Sequence, residues 1–105
     1  MQKTPVTSER ITLVDKDNYR VDLEYNEDFA ILHLPRVDKL TKGTYLDMKN
    51  QFNSILSFAL HVGYDRIICA VQTGDELTTR FLSKFGFNYQ GSADGYDVYD
   101  KKEPI

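Results

Sequence analysis

Scarcity marks this chain first. Its 105 residues include a single cysteine, Cys69, so no intramolecular disulfide forms, as expected in a reducing compartment. Cys69 lies inside the apolar run 67–71. It reads as a small buried hydrophobe, because a nucleophilic thiol needs partial exposure and electropositive surroundings. No apolar run approaches the ~20 residues of a membrane span. The first ten residues carry no apolar segment of the kind that heads a secretory leader. The expectation is therefore a cytoplasmic protein with no membrane partner. Basic clusters are missing as well: no run of lysine or arginine exceeds two residues, and the net charge is −3. Nucleic-acid binders carry a basic face because phosphate neutralisation dominates their affinity, so nucleic acid is not an expected partner. One cysteine and two distant histidines give no zinc-ligand spacing. Walker loop, dinucleotide fingerprint and nucleophile elbow are all absent. Asp94, Asp97 and Asp100 are spread across a hairpin and read as a solvated face rather than a metal site.

What is present points to one domain of residues 9–105 behind a flexible lead-in of residues 1–8. Residues 9–15 alternate around Ile11 and Leu13. Residues 19–25 place Tyr19, Val21, Leu23 and Tyr25 on one face and Arg20, Asp22 and Glu24 on the other, the period-two pattern of a half-buried strand. Residues 29–34 are nearly all apolar, as in a strand covered on both faces, and Pro35 is expected to end it. Together these three strands form a meander. The main helix is expected at 44–62, where Tyr45, Met48, Phe52, Ile55, Ala59 and Val62 recur at spacings of three and four. Thr44 and Asp47 have the spacing of a capping box, and Gly63 is placed to stop the helix. A short strand at 66–71 follows. Residues 87–90 and 96–99 read as strands flanking a hairpin turn at 92–95.

Residues 73–87 carry the most information. Thr73 and Glu76 stand at capping-box spacing. Thr78, Phe81, Leu82 and Phe85 share one helical face. Gly86 then occupies the position where a helix exits through a left-handed residue. A strand, a short helix and a Gly-Phe exit, here Gly86 and Phe87, resemble the C-terminal part of the GCN5-related N-acetyltransferases (the GNAT superfamily). The resemblance extends over roughly residues 9–100 and is specific over about 64–99. It implies an α+β fold with a mixed sheet in the order β-β-β-α-β-α-β-β, lacking the family's first strand and first two helices. It further implies acetyl-CoA as cofactor, lying beside Leu32 and Leu34, with its pyrophosphate near Lys39, Lys42, Gly43 and Thr44. The family's Arg/Gln-x-x-Gly-x-Gly/Ala loop is not reproduced: in one register Lys42 replaces a glycine, and in the other Thr41 does. A solvated loop leading into a helix remains the other reading of these residues. The family's tyrosine four residues before the glycine is Leu82 here, and its frequent asparagine falls on Asp75.

For a general base the candidates are His33, Glu24 and Asp22. His33 leads because its strand passes beside the thioester on this reading, although a lone histidine in an apolar strand also reads as a hydrogen-bonded structural residue. Two functions follow from the resemblance. One is an acyl-CoA-dependent N-acetyltransferase acting on an amine acceptor. The other is a non-catalytic GNAT-fold binding or structural protein, similar to compact phage-encoded proteins of the virion or of host interaction. In that case Tyr89, Tyr96 and Tyr99 offer an aromatic interface for a protein partner. On fold analogy, a sheet edge beside the splayed strands is available for a homodimer.

Overall fold

Period-two alternation over residues 19–25 produces the strand that the pattern predicts, and the neighbouring elements follow in the expected order. The computed structural model describes residues 8–38 and 41–103. The elements are β1 (Glu9–Asp15), β2 (Tyr19–Tyr25), β3 (Ala30–Val37), α1 (Lys42–His61), β4 (Ile67–Gln72), α2 (Glu76–Lys84), β5 (Asn88–Ala93) and β6 (Tyr96–Lys101). They build a six-stranded sheet in the order β1-β2-β3-β4-β6-β5. Every neighbouring pair is antiparallel except β3 with β4. A parallel pair needs a crossover connection, and α1 supplies it.

Both helices pack on one face of the sheet. Phe52 of α1 meets Phe81 of α2, the C-cap Phe85, and then Phe87, in edge-on contacts with ring centroids 5.5–6.1 Å apart. Beneath them lie Val21, Leu32, Ile67 and Cys69, all buried. Burial pushes the Cys69 thiol up, which removes it as a nucleophile at neutral pH. The opposite face carries no helix among the described residues. The expectation that β3 is covered on both sides is therefore corrected. Ile31 and His33, on the open side, are only half-buried.

Local chemistry departs from the sequence reading at three points. The cap of α1 is Thr41, whose side chain accepts from the Thr44 amide, and the helix starts at Lys42. Asp47 makes no capping box with Thr44; it accepts from Lys16 and from the Tyr19 hydroxyl instead. In α2 the cap is Asp75 rather than Thr73, with Oδ1 accepting from the Thr78 amide and Oδ2 from the Thr78 hydroxyl. A short carboxylate beside the helix start outcompetes a threonine two residues further out. Finally, β3 does not stop at Pro35. Its last pairing with β4 is His33 with Ala70, so no ladder on that side requires the missing N–H. On the β2 side, Val21 alone faces Leu34 and Pro35, a bulge that accommodates the ring.

The final hairpin closes on Asp94 and Gly95, both at positive φ (54° and 83°), between Ala93 and Tyr96. Two such residues match the right-handed twist of the strands they join, so β5 extends to Ala93 rather than ending at residue 90.

Candidate acyl-transfer site

The parallel contact between β3 and β4 lasts only three residue pairs, from Ile31–Ile68 to His33–Ala70. Beyond it the strands part. β3 continues against β2 to Val37, while β4 continues against β6 to Gln72. The opening holds a cavity of about 240 Å³, bordered by His33, Leu34 and Pro35 on one side and by Ala70, Val71 and Gln72 on the other. Arg10, Asp75 and Tyr96 reach its rim. A ligand here meets the carboxyl ends of adjacent parallel strands, where α/β sheets commonly bind.

Two of the general-base candidates meet at this cleft. His33 Nε2 lies 2.9 Å from Glu24 Oε1, and Ser8 donates to Glu24 Oε2 at 2.7 Å. The Ser8 and His33 hydrogen bonds hold the Glu24 carboxyl below the usual range. A carboxylate fixed in this way orients the imidazole and selects its tautomer. Asp22, the third candidate, has another task. It is buried and accepts from Arg20 Nε at 3.0 Å, Thr12 Oγ1 at 2.9 Å and Arg10 Nη2 at 3.2 Å. Burial alone raises its pKa, and these three donors reverse the sign. With its oxygens committed, Asp22 serves the sheet rather than proton transfer.

The start of α1 lies on the helix side of the same strands. Lys42 and Gly43 are exposed, and a Cβ added at Gly43 meets nothing within 4 Å. The first turn carries no acidic side chain, so the positive end of the helix dipole is uncompensated. Lys84 from the last turn of α2 joins Lys42, Thr41 and Tyr45 around a shallow basin of about 400 Å³. Thr44 is different: its amide bonds to Thr41, its hydroxyl accepts from Asn18 and Thr41, and it is buried. Lys39 lies outside the described residues. Leu34 lines the cleft, whereas Leu32 sits in the core where β3 and β4 are still paired.

No family model matches the sequence. No curated protein matches it either. Solved structures do match. An acetyltransferase of the GNAT family from Listeria monocytogenes superposes with a TM-score of 0.56 at 19% identity, over 70% of this chain and 42% of that one. The fold is GNAT-like. A candidate acetyltransferase from Sphaerobacter thermophilus aligns at 9% identity and a TM-score of 0.49, over 82% of this chain and 57% of that one. This chain thus spans less than half the length of the Listeria structure.

Within the GNAT-like fold, Leu82 is fully buried against the core. The hydrocarbon side chain at that position has no proton to give and no route to the cleft. Gln72 and Lys84 carried no site signal in the sequence, and Tyr96 was read there only as part of an aromatic interface. Tyr96 arrives only because β6 pairs with β4, placing it opposite Gln72. No linear spacing encodes that meeting. Lys84 borders the same basin as Lys42 only because of how the two helices pack. No group of three or more His, Cys, Asp or Glu suited to a metal ion occurs among the described residues. No helix among them is long and apolar enough to cross a membrane.

Proposed function

We propose that this protein is an acyl-CoA-dependent N-acyltransferase, with acetyl-CoA as donor and a primary amine as acceptor. The observation that carries this reading is the open cleft between β3 and β4 with the Glu24–His33 pair at its edge. A scaffold that had lost the activity would be expected to close this cleft with side chains; here small Ala70 leaves it open. The residues also fit the cofactor's anionic end. Lys42, Lys84 and the start of α1 supply positive charge, and Gly43 leaves its backbone approachable. The cofactor, when bound, supplies an activated acyl thioester. The chain's own part is to hold the amine in line, exclude water and accept a proton at His33 Nδ1, the ring nitrogen away from the Glu24 contact.

Calorimetric titration with acetyl-CoA tests this, with desulfo-CoA as a control for binding without the thioester. Micromolar affinity that falls in Lys42→Ala and Lys84→Ala supports a pyrophosphate site between the two helices. No heat, and no thermal stabilisation at millimolar acetyl-CoA, would sink the reading.

One observation favours the second reading, a non-catalytic binding protein. Ile11, Leu13, Phe58 and Val62 are 37–65% exposed and line a second cavity of about 500 Å³ between α1 and the β1 edge. A contiguous apolar surface of this kind is suited to a protein partner or a second copy of the chain. Sedimentation of the wild type and of Phe58→Lys distinguishes these: self-association abolished by the lysine supports the homodimer, and a monomer in both leaves a separate partner.

A further inference from the structure

The cleft opens at the carboxyl ends of β3 and β4. At their amino ends, on the helix side of the sheet, lies the groove of about 500 Å³ between α1 and β1. Its walls carry no charged side chain. Ile11 and Leu13 come from β1, Phe58 and Val62 from α1 and the residue that caps it, and Ala30 and Ile67 from the first positions of β3 and β4. Phe58 stands furthest into solvent, at 65%. A solvent-facing apolar trough of this kind marks a binding surface.

The rim decides what fits. Glu9 stands opposite Tyr25 in the β1–β2 ladder and so shares its face, the groove side. Glu27 and Asp28 lie in the turn between the groove residues Tyr25 and Ala30, and Asp65 follows Tyr64. The Tyr64 hydroxyl donates to the Asn26 carbonyl at 2.6 Å, which gathers both loops at this end. All four carboxylates are exposed. Arg66, the cation beside them in sequence, is turned to Asp100 at 3.0 Å. The other end sets Asp15, Asp17 and Asp47 against Lys16, which is bound to Asp47. Both ends are therefore acidic. A second copy meeting this patch about a two-fold axis brings acid against acid, in a chain of net charge −3.

From the apolar trough and its acidic ends, we propose that the groove docks a cationic amphipathic helix of a partner protein. Leucines or isoleucines of that helix fill the space beside Ile11 and Phe58. Lysines or arginines toward its end face Glu27, Asp28 and Asp65. The helix α1 borders the groove from Ser54 to the cap at Val62, a length of roughly 12 Å that matches about two turns of a docked helix. A partner seated here leaves the β3–β4 cleft open, so the inference goes beyond the acyltransferase reading and gives the apolar surface its occupant.

The probe is a labelled leucine–lysine amphipathic helix of about four turns, read by fluorescence anisotropy. A leucine–glutamate helix of the same pattern and a scrambled leucine–lysine peptide are the controls. The lysine helix binds wild type at micromolar Kd, and both controls bind at least about tenfold more weakly. Phe58→Ala weakens the lysine helix about tenfold. Glu27→Gln, Asp28→Asn and Asp65→Asn combined weaken it several-fold, as does salt at about 0.5 M. Absence of binding, equal binding of a control, or unchanged affinity in Phe58→Ala overturns the proposal. Wild-type self-association in sedimentation that is lost in Phe58→Ala assigns the groove to a second copy and overturns it too. Titration with acetyl-CoA is read separately: its failure sinks the acyltransferase and leaves the groove's occupant standing.

Discussion

Asp22 shows how a single side chain can look catalytic and be structural. It is 4% exposed on the face of the sheet that no described helix covers. Its shielding comes from the two arginines and Thr12. Replacing it with alanine leaves those donors without their acceptor. The expected cost is about 1–3 kcal/mol in urea unfolding, moderated because Arg10 and Arg20 are half exposed and turn to water. Arg10→Ala should cost less, since Arg20 and Thr12 remain. The pH dependence has a definite sign. Asp22, Glu24 and Asp47 all sit below their ordinary carboxyl pKa in the fold. Their stabilisation is present above the unfolded carboxyl range of about 4 and is lost as pH falls through the folded values. Chemical denaturation at descending pH should show this loss, and Asp22→Asn should flatten it.

Among the elements, the helix starts make the sharpest predictions. Thr41→Ala removes the cap of α1, and Asp75→Ala that of α2, each at about 1 kcal/mol. Thr73→Ala, in contrast, should be close to neutral if Asp75 is the cap. Gly43→Ala separates folding from binding. The added methyl meets no neighbour, and alanine in a helix is favoured over glycine by roughly 0.5–1 kcal/mol. The variant should therefore melt higher than wild type. Its acetyl-CoA affinity should fall if the pyrophosphate approaches that backbone, and calorimetry reads both sides of the comparison. These caps also mark where sequence reading loses resolution. Thr44 and Asp47, or Thr73 and Glu76, have correct spacing, but so do neighbouring threonines and aspartates. Which oxygen reaches which amide depends on the angle at which the chain enters the helix. Asp47 was drawn away altogether by Tyr19, 28 residues earlier.

At the scale of the whole molecule, one aromatic cluster ties the helix layer together. Phe52 contacts rings from α2 and from the residue that leads into β5. Phe52→Ala should destabilise by about 3–5 kcal/mol, seen as a lower urea midpoint. Phe58→Ala, on the exposed side of the same helix, should change it little. The burial of Phe52 and the order of elements were legible in advance, whereas Val62, read on the same stripe, is the half-exposed C-cap of α1. Periodicity of two and of about 3.6 reports which residues face a core, and glycine at 86 reports a left-handed exit, confirmed by its φ of +87°. Such signals are local, so the sequence alone determined the strands, the helices and the GNAT-like order. The cleft is not local. Where β3 and β4 cease to pair, how a bulge carries Pro35, and which residues of β2 and β6 stand beside His33 are consequences of strand register. Register follows from contacts between segments tens of residues apart. Only the tertiary structure decided that Glu24 holds His33, that Asp22 is occupied elsewhere and that Tyr96 faces the cleft. It did so because side chains from separate strands meet only after the sheet has assembled.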